Sequence, residues 1–118
     1  MWFNFDQNNS GGSFTVDDQL CHRLFIEADS QEKAEEKAFD MGVYYDGCSD
    51  GTDCPCCGDR WYSPDEVELP AKFDDEVYET IEAYAQNLAD RYGWTKPDCR
   101  IFYADGRVVE IFKGDKAS

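Results

Sequence analysis

Hydrophobic and polar positions alternate from the first residue. Met1, Phe3 and Phe5 fall on one side and Trp2 and Asn4 on the other, the pattern of a half-buried strand. Polar residues 6–13 follow, and Phe14-Thr15-Val16 resumes an extended pattern. Together they predict a hairpin with a long tip, closing on the first strand. After a turn at Asp17-Asp18, Leu20–Glu27 reads as a strand. Leu20, His22, Leu24 and Ile26 share one face, and Cys21, Arg23, Phe25 and Glu27 share the other. Apolar residues on both faces place this strand in the middle of a sheet.

The period then changes. Asp29-Ser30-Gln31-Glu32 predicts a helix start, with Asp29 as the cap and Glu32 completing a capping box. Ala34, Ala38 and Met41 recur at helical spacing, and Gly42 closes the helix as a left-handed cap. Val43-Tyr44-Tyr45 predicts a short strand. Residues 63–70 read as irregular and acidic. A second helix is expected over 74–92, capped by Asp74 and closed by Gly93. Its apolar face is Val77, Ile81, Tyr84, Ala85, Leu88 and Tyr92. Cys99–Tyr103 and Arg107–Lys113 predict two strands joined at Ala104-Asp105-Gly106, where Asp-Gly supplies the turn. The order predicts an α+β fold in one domain over residues 1–118: a mostly antiparallel sheet with two helices packed on one face.

Composition narrows the functional classes. The net charge is −15, from 26 acids against 11 bases. The excess lies in residues 1–60, with 13 acids and 4 bases, and 61–92, with 9 and 2; residues 93–118 carry 4 and 5. A field of this sign repels nucleic acid and anionic membranes and attracts a basic protein surface. Plain solubility is the simpler reading of the same charge. No run approaches the roughly 20 apolar residues of a membrane span. The first residues have neither a basic region nor an apolar run, so an intracellular chain with reduced thiols is expected.

That expectation bears on the cysteines. Cys48, Cys54, Cys56 and Cys57 fall within ten residues, among Gly, Asp, Ser and Pro, which favour turns. Cys54-Pro55-Cys56-Cys57-Gly58 resembles a zinc knuckle, with Cys54 and Cys57 spaced for one tetrahedral ion. Cys48 folds back as a third ligand and Cys56 is the fourth, unless Cys21, His22 or Cys99 replaces it from the sheet. Free thiols, or disulfides such as Cys21 to Cys99, are the competing readings. His22 is the one histidine, and no His-Glu-x-x-His pattern is present, so a structural zinc is expected over a catalytic one.

Two further stretches bear on binding. Gln7, Asn8, Asn9, Ser10, Gly11 and Gly12 combine amides, a hydroxyl and flexible backbone. They can surround a polar, nucleotide-like ligand without net charge, or form an ordinary hairpin tip. Arg60 and Trp61 place a guanidinium beside an indole, suited to stacking on a base or anchoring a partner; Trp61 as core is the alternative. Outward Glu76, Glu79, Glu82 and Asp90 on the second helix read as a solvated face, an acidic docking surface or a nucleic-acid mimic.

Residues 5–14 and 53–61, with Ile26-Glu27-Ala28-Asp29-Ser30 opening a helix between them, resemble a family of small tailed-bacteriophage proteins. The resemblance covers about residues 1–62. It implies a phage origin and a place in the infected bacterial cytoplasm, and it supplies no activity. By analogy, a non-enzymatic host-modulating or counter-defence factor is expected. It would sequester a small nucleotide-like signal or block a basic host protein; a metal-dependent hydrolase is the third class.

One zinc per chain is the first testable expectation. Elemental analysis of protein purified without added metal reads it directly. Cys57→Ser should then lower stability by several kcal/mol, because metal binding is coupled to folding. Absence of zinc, with melting unchanged in a strong chelator, would contradict the site.

Overall fold

The computed structural model describes residues 1–7, 16–17, 19–44, 61, 64–73, 75–93, 95 and 97–113. These form seven strands and two helices: β1 (Trp2–Asp6), β2 (Arg23–Glu27), α1 (Gln31–Met41), β3 (Asp65–Val67), β4 (Ala71–Phe73), β5 (Glu76–Tyr78), α2 (Ile81–Tyr92), β6 (Cys99–Phe102) and β7 (Val108–Ile111). Five strands make one sheet in the order β3-β1-β2-β6-β7, and β4-β5 is a separate ribbon. The β1–β2, β1–β3 and β6–β7 pairs are antiparallel and β2–β6 is parallel. The fold is α+β, and β2 is the central strand, as its two apolar faces require.

The two helices do not share a face of the sheet. Phe3, Phe5, Leu24 and Ile26 pack with Ala34 and Ala38 of α1. Trp2, Phe25, Ile101 and Ile111 pack with Ile81, Ala85 and Leu88 of α2. Successive strand residues point to opposite sides, so Phe3 and Trp2, or Leu24 and Phe25, belong to different layers. Both faces therefore need a cover, and one helix supplies each. This corrects the expectation of two helices on one face. Phe25 is fully buried between the sheet and α2; truncating such a ring costs about 3–5 kcal/mol.

Several boundaries also move. The partner of β1 is β2, with Phe3 opposite Ile26 and Phe5 opposite Leu24. Over Trp2–Asn4 the other side of β1 is taken by β3. Val16 is not in a strand, and residues 14 and 15 lie outside the described residues. The stretch read as irregular contains β3. The expected first turn of α2 is instead the β4–β5 ribbon, with Val77 more than half exposed. Thr80 is the better cap, accepting from the Ala83 N–H at 3.2 Å, and α2 starts only after it. Val43 and Tyr44 form no strand, and Tyr45 lies outside the described residues.

The turn chemistry holds. Gly42 sits at φ 114° after α1 and Gly106 at φ 96° in the β6–β7 turn, a region that favours glycine. Leu20 Cδ1 lies 3.2 Å from where a Cβ on Gly42 would stand, so that position is closed twice over. Among the described residues no helix is long and apolar enough to cross a membrane.

The start of α1 departs from expectation by one residue. Ser30, not Asp29, is the cap: its extended backbone lets the hydroxyl accept from the Lys33 N–H at 3.3 Å. Ser30→Ala should cost about 1 kcal/mol in chemical denaturation, and Asp29→Ala less than half of that. Equal losses would put the cap back at Asp29.

Candidate functional site

Two of the segments singled out from sequence meet at a described contact. Gln7, which opens the amide-rich run, forms an isolated antiparallel bridge with Trp61, which ends the cysteine-rich run. Both are buried. Gln7 Nε2 donates to the Cys21 carbonyl at 2.7 Å, and its backbone N–H donates to the His22 carbonyl at 2.9 Å. Trp61 is 2% exposed and packs in the core with Phe3, Phe5 and Leu24. Here the indole is core and offers no exposed stacking face. Asn8, Asn9, Ser10, Gly11, Gly12 and Arg60 lie outside the described residues, as do Cys48, Cys54, Cys56 and Cys57.

The two sheet cysteines are described. Cys21 and Cys99 are free thiols, so the disulfide between them is not present. The reason is geometric: Cys21 belongs to the α1 layer and Cys99 to the α2 layer. Burial pushes the Cys21 thiol up to about 12, and burial also raises Cys99 well above its ordinary value. Neither is therefore poised as a nucleophile, which must be a thiolate. Among the described residues no group of three or more His, Cys, Asp or Glu is placed to hold a metal.

Sequence reading missed a buried polar cluster at the head of β2. Asp98, fully buried, receives the Arg23 guanidinium on Oδ2 at 2.6 Å and His22 Nδ1 on Oδ1 at 2.8 Å. A carboxylate ion only accepts, so Nδ1 carries the proton. The Arg23 nitrogen 3.2 Å from Nδ1 is then a close approach and not a hydrogen bond. Arg23 also faces Asp6, with Nε 3.6 Å from Oδ1. The Thr95 hydroxyl accepts from the His22 N–H at 3.2 Å and donates to the Pro97 carbonyl at 2.7 Å. A His-Asp pair suggests acid–base chemistry, yet His22 is only 6% exposed and Asp98 is sealed, so neither presents an atom to a dissolved substrate. The signal available in the sequence was the pair His22-Arg23 opening a strand with two apolar faces. Charge buried there demands a buried counter-charge.

The surface chemistry lies elsewhere. From β3 to the start of α2, Asp65, Glu66, Glu68, Asp75, Glu76 and Glu79 are exposed, with Lys72 beside them. Of the expected outward acids on the second helix, Glu76 is in β5 and Glu79 precedes the helix. Glu82 accepts from the Tyr103 hydroxyl. The acidic rim continues inward to Tyr84. Burial first, then the Asp6 and Asp65 carboxylates, push its phenol up. A hollow of about 350 Å³ beside β3 is lined by Asn4, Asp65, Glu68, Lys72 and Tyr84, among others.

Residues 1–118 match the family described as a domain of unknown function, DUF7296, and the chain belongs to that family. No curated protein and no solved structure matches the chain.

Asp6 supplies a pH-dependent prediction. Its side chain is 35% exposed, but Oδ1 is shut from solvent. Burial raises its pKa, against the lowering effect of Arg23 and His22. A carboxyl raised on folding holds its proton more tightly in the folded state. Its contribution is therefore favourable in acid and is lost as pH rises from the ordinary aspartate value through the raised one. Asp6→Asn should raise stability at about pH 7 and leave it unchanged at about pH 3, where both states are protonated. Denaturation at the two pH values reads the difference, and a loss of stability at neutral pH would show that the Arg23 attraction outweighs burial.

Proposed function

We propose that this DUF7296 member is a non-enzymatic binding protein of a tailed bacteriophage. It acts in the infected bacterial cytoplasm as a host-modulating or counter-defence factor, by occupying a basic host protein through its acidic rim. The observation that carries this reading is the exposed set Asp65, Glu66, Glu68, Asp75, Glu76 and Glu79, concentrated on one stretch of chain with a single exposed lysine. Exposed Leu69 and Val77 lie within the same stretch, so apolar contact is available where the charge is densest. Such a surface steers a basic partner into encounter and disfavours anionic ones. Phage origin is supported by the two motifs quoted above. A structural zinc on Cys48, Cys54, Cys56 and Cys57 belongs to the same proposal, as the support of the segment that ends at Trp61.

A second reading, capture of a small polar or nucleotide-like ligand, is supported by one contact. The Gln7–Trp61 bridge joins the ends of the two segments that would form that site. The burial of both residues weighs against it, because neither side chain is presented to a ligand.

The test compares the two readings on the same protein. Glu68→Lys with Glu79→Lys changes exposed residues and should leave the melting temperature unchanged. Association with the host protein captured by the unmodified chain should slow at least tenfold in the variant. It should slow similarly between about 50 mM and about 500 mM salt, where screening shortens from beyond 10 Å to about 4 Å. Capture that ignores both changes, with a melting shift on adding nucleotides or cyclic nucleotides, would favour the small-ligand reading instead.

A further inference from the structure

Strand β3 ends the sheet. It pairs with β1 on one side, and among the described residues no strand pairs with its other side. An open edge presents backbone donors and acceptors to any extended segment that approaches. Its carboxylates decide which segment that is. Asp65, Glu66 and Glu68 are exposed and repel an acidic strand, a nucleic acid or a second copy of this chain. They attract lysine and arginine. The opposite edge, β7, carries exposed Val108 close to Arg107 and lies in the part of the chain with 4 acids against 5 bases, so it has no such preference.

The hollow beside β3 adds an independent observation. Asn4, on the neighbouring strand, lines it and is 9% exposed. Its Nδ2 donates to Asp6 Oδ2 at 3.3 Å, while its Oδ1 is sealed from solvent with no donor among the described residues. Lys72 lines the same hollow and does not supply that donor. Asp65 stands opposite Asn4 in the β1–β3 register. The site therefore combines a buried acceptor that lacks a donor, nearby carboxylates, and about 350 Å³ of space. A second hollow of about 310 Å³, lined by Met1, Trp2, Glu66 and Leu69 among others, borders the same strand. Added strands gain affinity from backbone pairing and specificity from side-chain pockets of this kind.

We infer that β3 is the docking edge for an extended, basic segment of a partner protein, with one lysine or arginine side chain entering the hollow and donating to the exposed Asp65 and Glu68 carboxylates that line it. This rests on the basic-partner reading above and adds its place and mode. The probe is a synthetic octapeptide of alternating lysine and valine. Its control has the same sequence with alternate backbone nitrogens methylated, which keeps the charge and removes the pairing donors. On the full chain labelled with ¹⁵N, the first peptide should shift and protect the amides of Asp65–Val67. The methylated one should bind at least tenfold more weakly. Asp65→Asn with Glu68→Gln, both at exposed positions, should weaken the first peptide at least tenfold and leave the melting temperature unchanged. Equal, salt-sensitive binding of both peptides would overturn the strand pairing and leave the acidic-surface reading standing. Binding of neither at low salt would overturn both.

Discussion

The buried carboxylate of Asp98 is the interaction on which the sheet depends. It holds the Arg23 guanidinium and the His22 ring at the start of β2, while its own backbone reaches both neighbours of that strand's partner. Its carbonyl accepts from the Arg23 N–H at 2.9 Å, and its N–H donates to the Ile111 carbonyl at 2.9 Å. One residue thus joins β2, β6 and β7. Among the described residues the β2–β6 pair is the one parallel pair of the five-stranded sheet, and it has no hairpin to set its register. A charge pair at the head of both strands supplies a register mark that apolar packing alone does not. Buried ion pairs of this kind often add little net stability, but removing one partner is costly because the other is stranded.

With the centre held, the two layers follow from side-chain size. Ala34 and Ala38 let α1 lie close over Phe3, Phe5, Leu24 and Ile26, and the larger Ile81 and Leu88 of α2 cover Trp2, Phe25 and Ile101. The covers leave the β3 margin and the β4–β5 ribbon outside. Those are the stretches where the acids concentrate. The binding reading therefore grows out of the fold: polar chemistry is packed inward around Asp98 as support, and charge is displayed on the rim that the helices do not cover.

Much of the fold was legible. Period-two alternation marked β1 and β2, Asp-Gly marked the β6–β7 turn, and Gly42 marked the end of α1. The failures have physical causes. The sequence pattern of β2 showed apolar residues on both faces, yet alternation alone does not say which helix covers which side. Glu76-Val77-Tyr78 matched a helical face through Val77, but β-formers and a ribbon partner at Ala71–Phe73 won over propensity. Asp98 was invisible because its role depends on a contact 75 residues away in sequence with Arg23. Of the candidate site, Gln7 and Trp61 proved to be joined, a contact no periodicity encodes. Amide and indole suited a ligand or the interior equally by residue type, and for Gln7 and Trp61 it is the interior that uses them.

The most direct test of the central claim is native-state hydrogen exchange on Asp98→Ala. Amides of β2, β6 and β7 should lose protection together. Global stability should fall by about 3–5 kcal/mol, the cost of a stranded buried charge. Faster exchange confined to residues 95–98, with β2 and β6 protected as before, would contradict it and show that apolar packing alone sets the parallel pair.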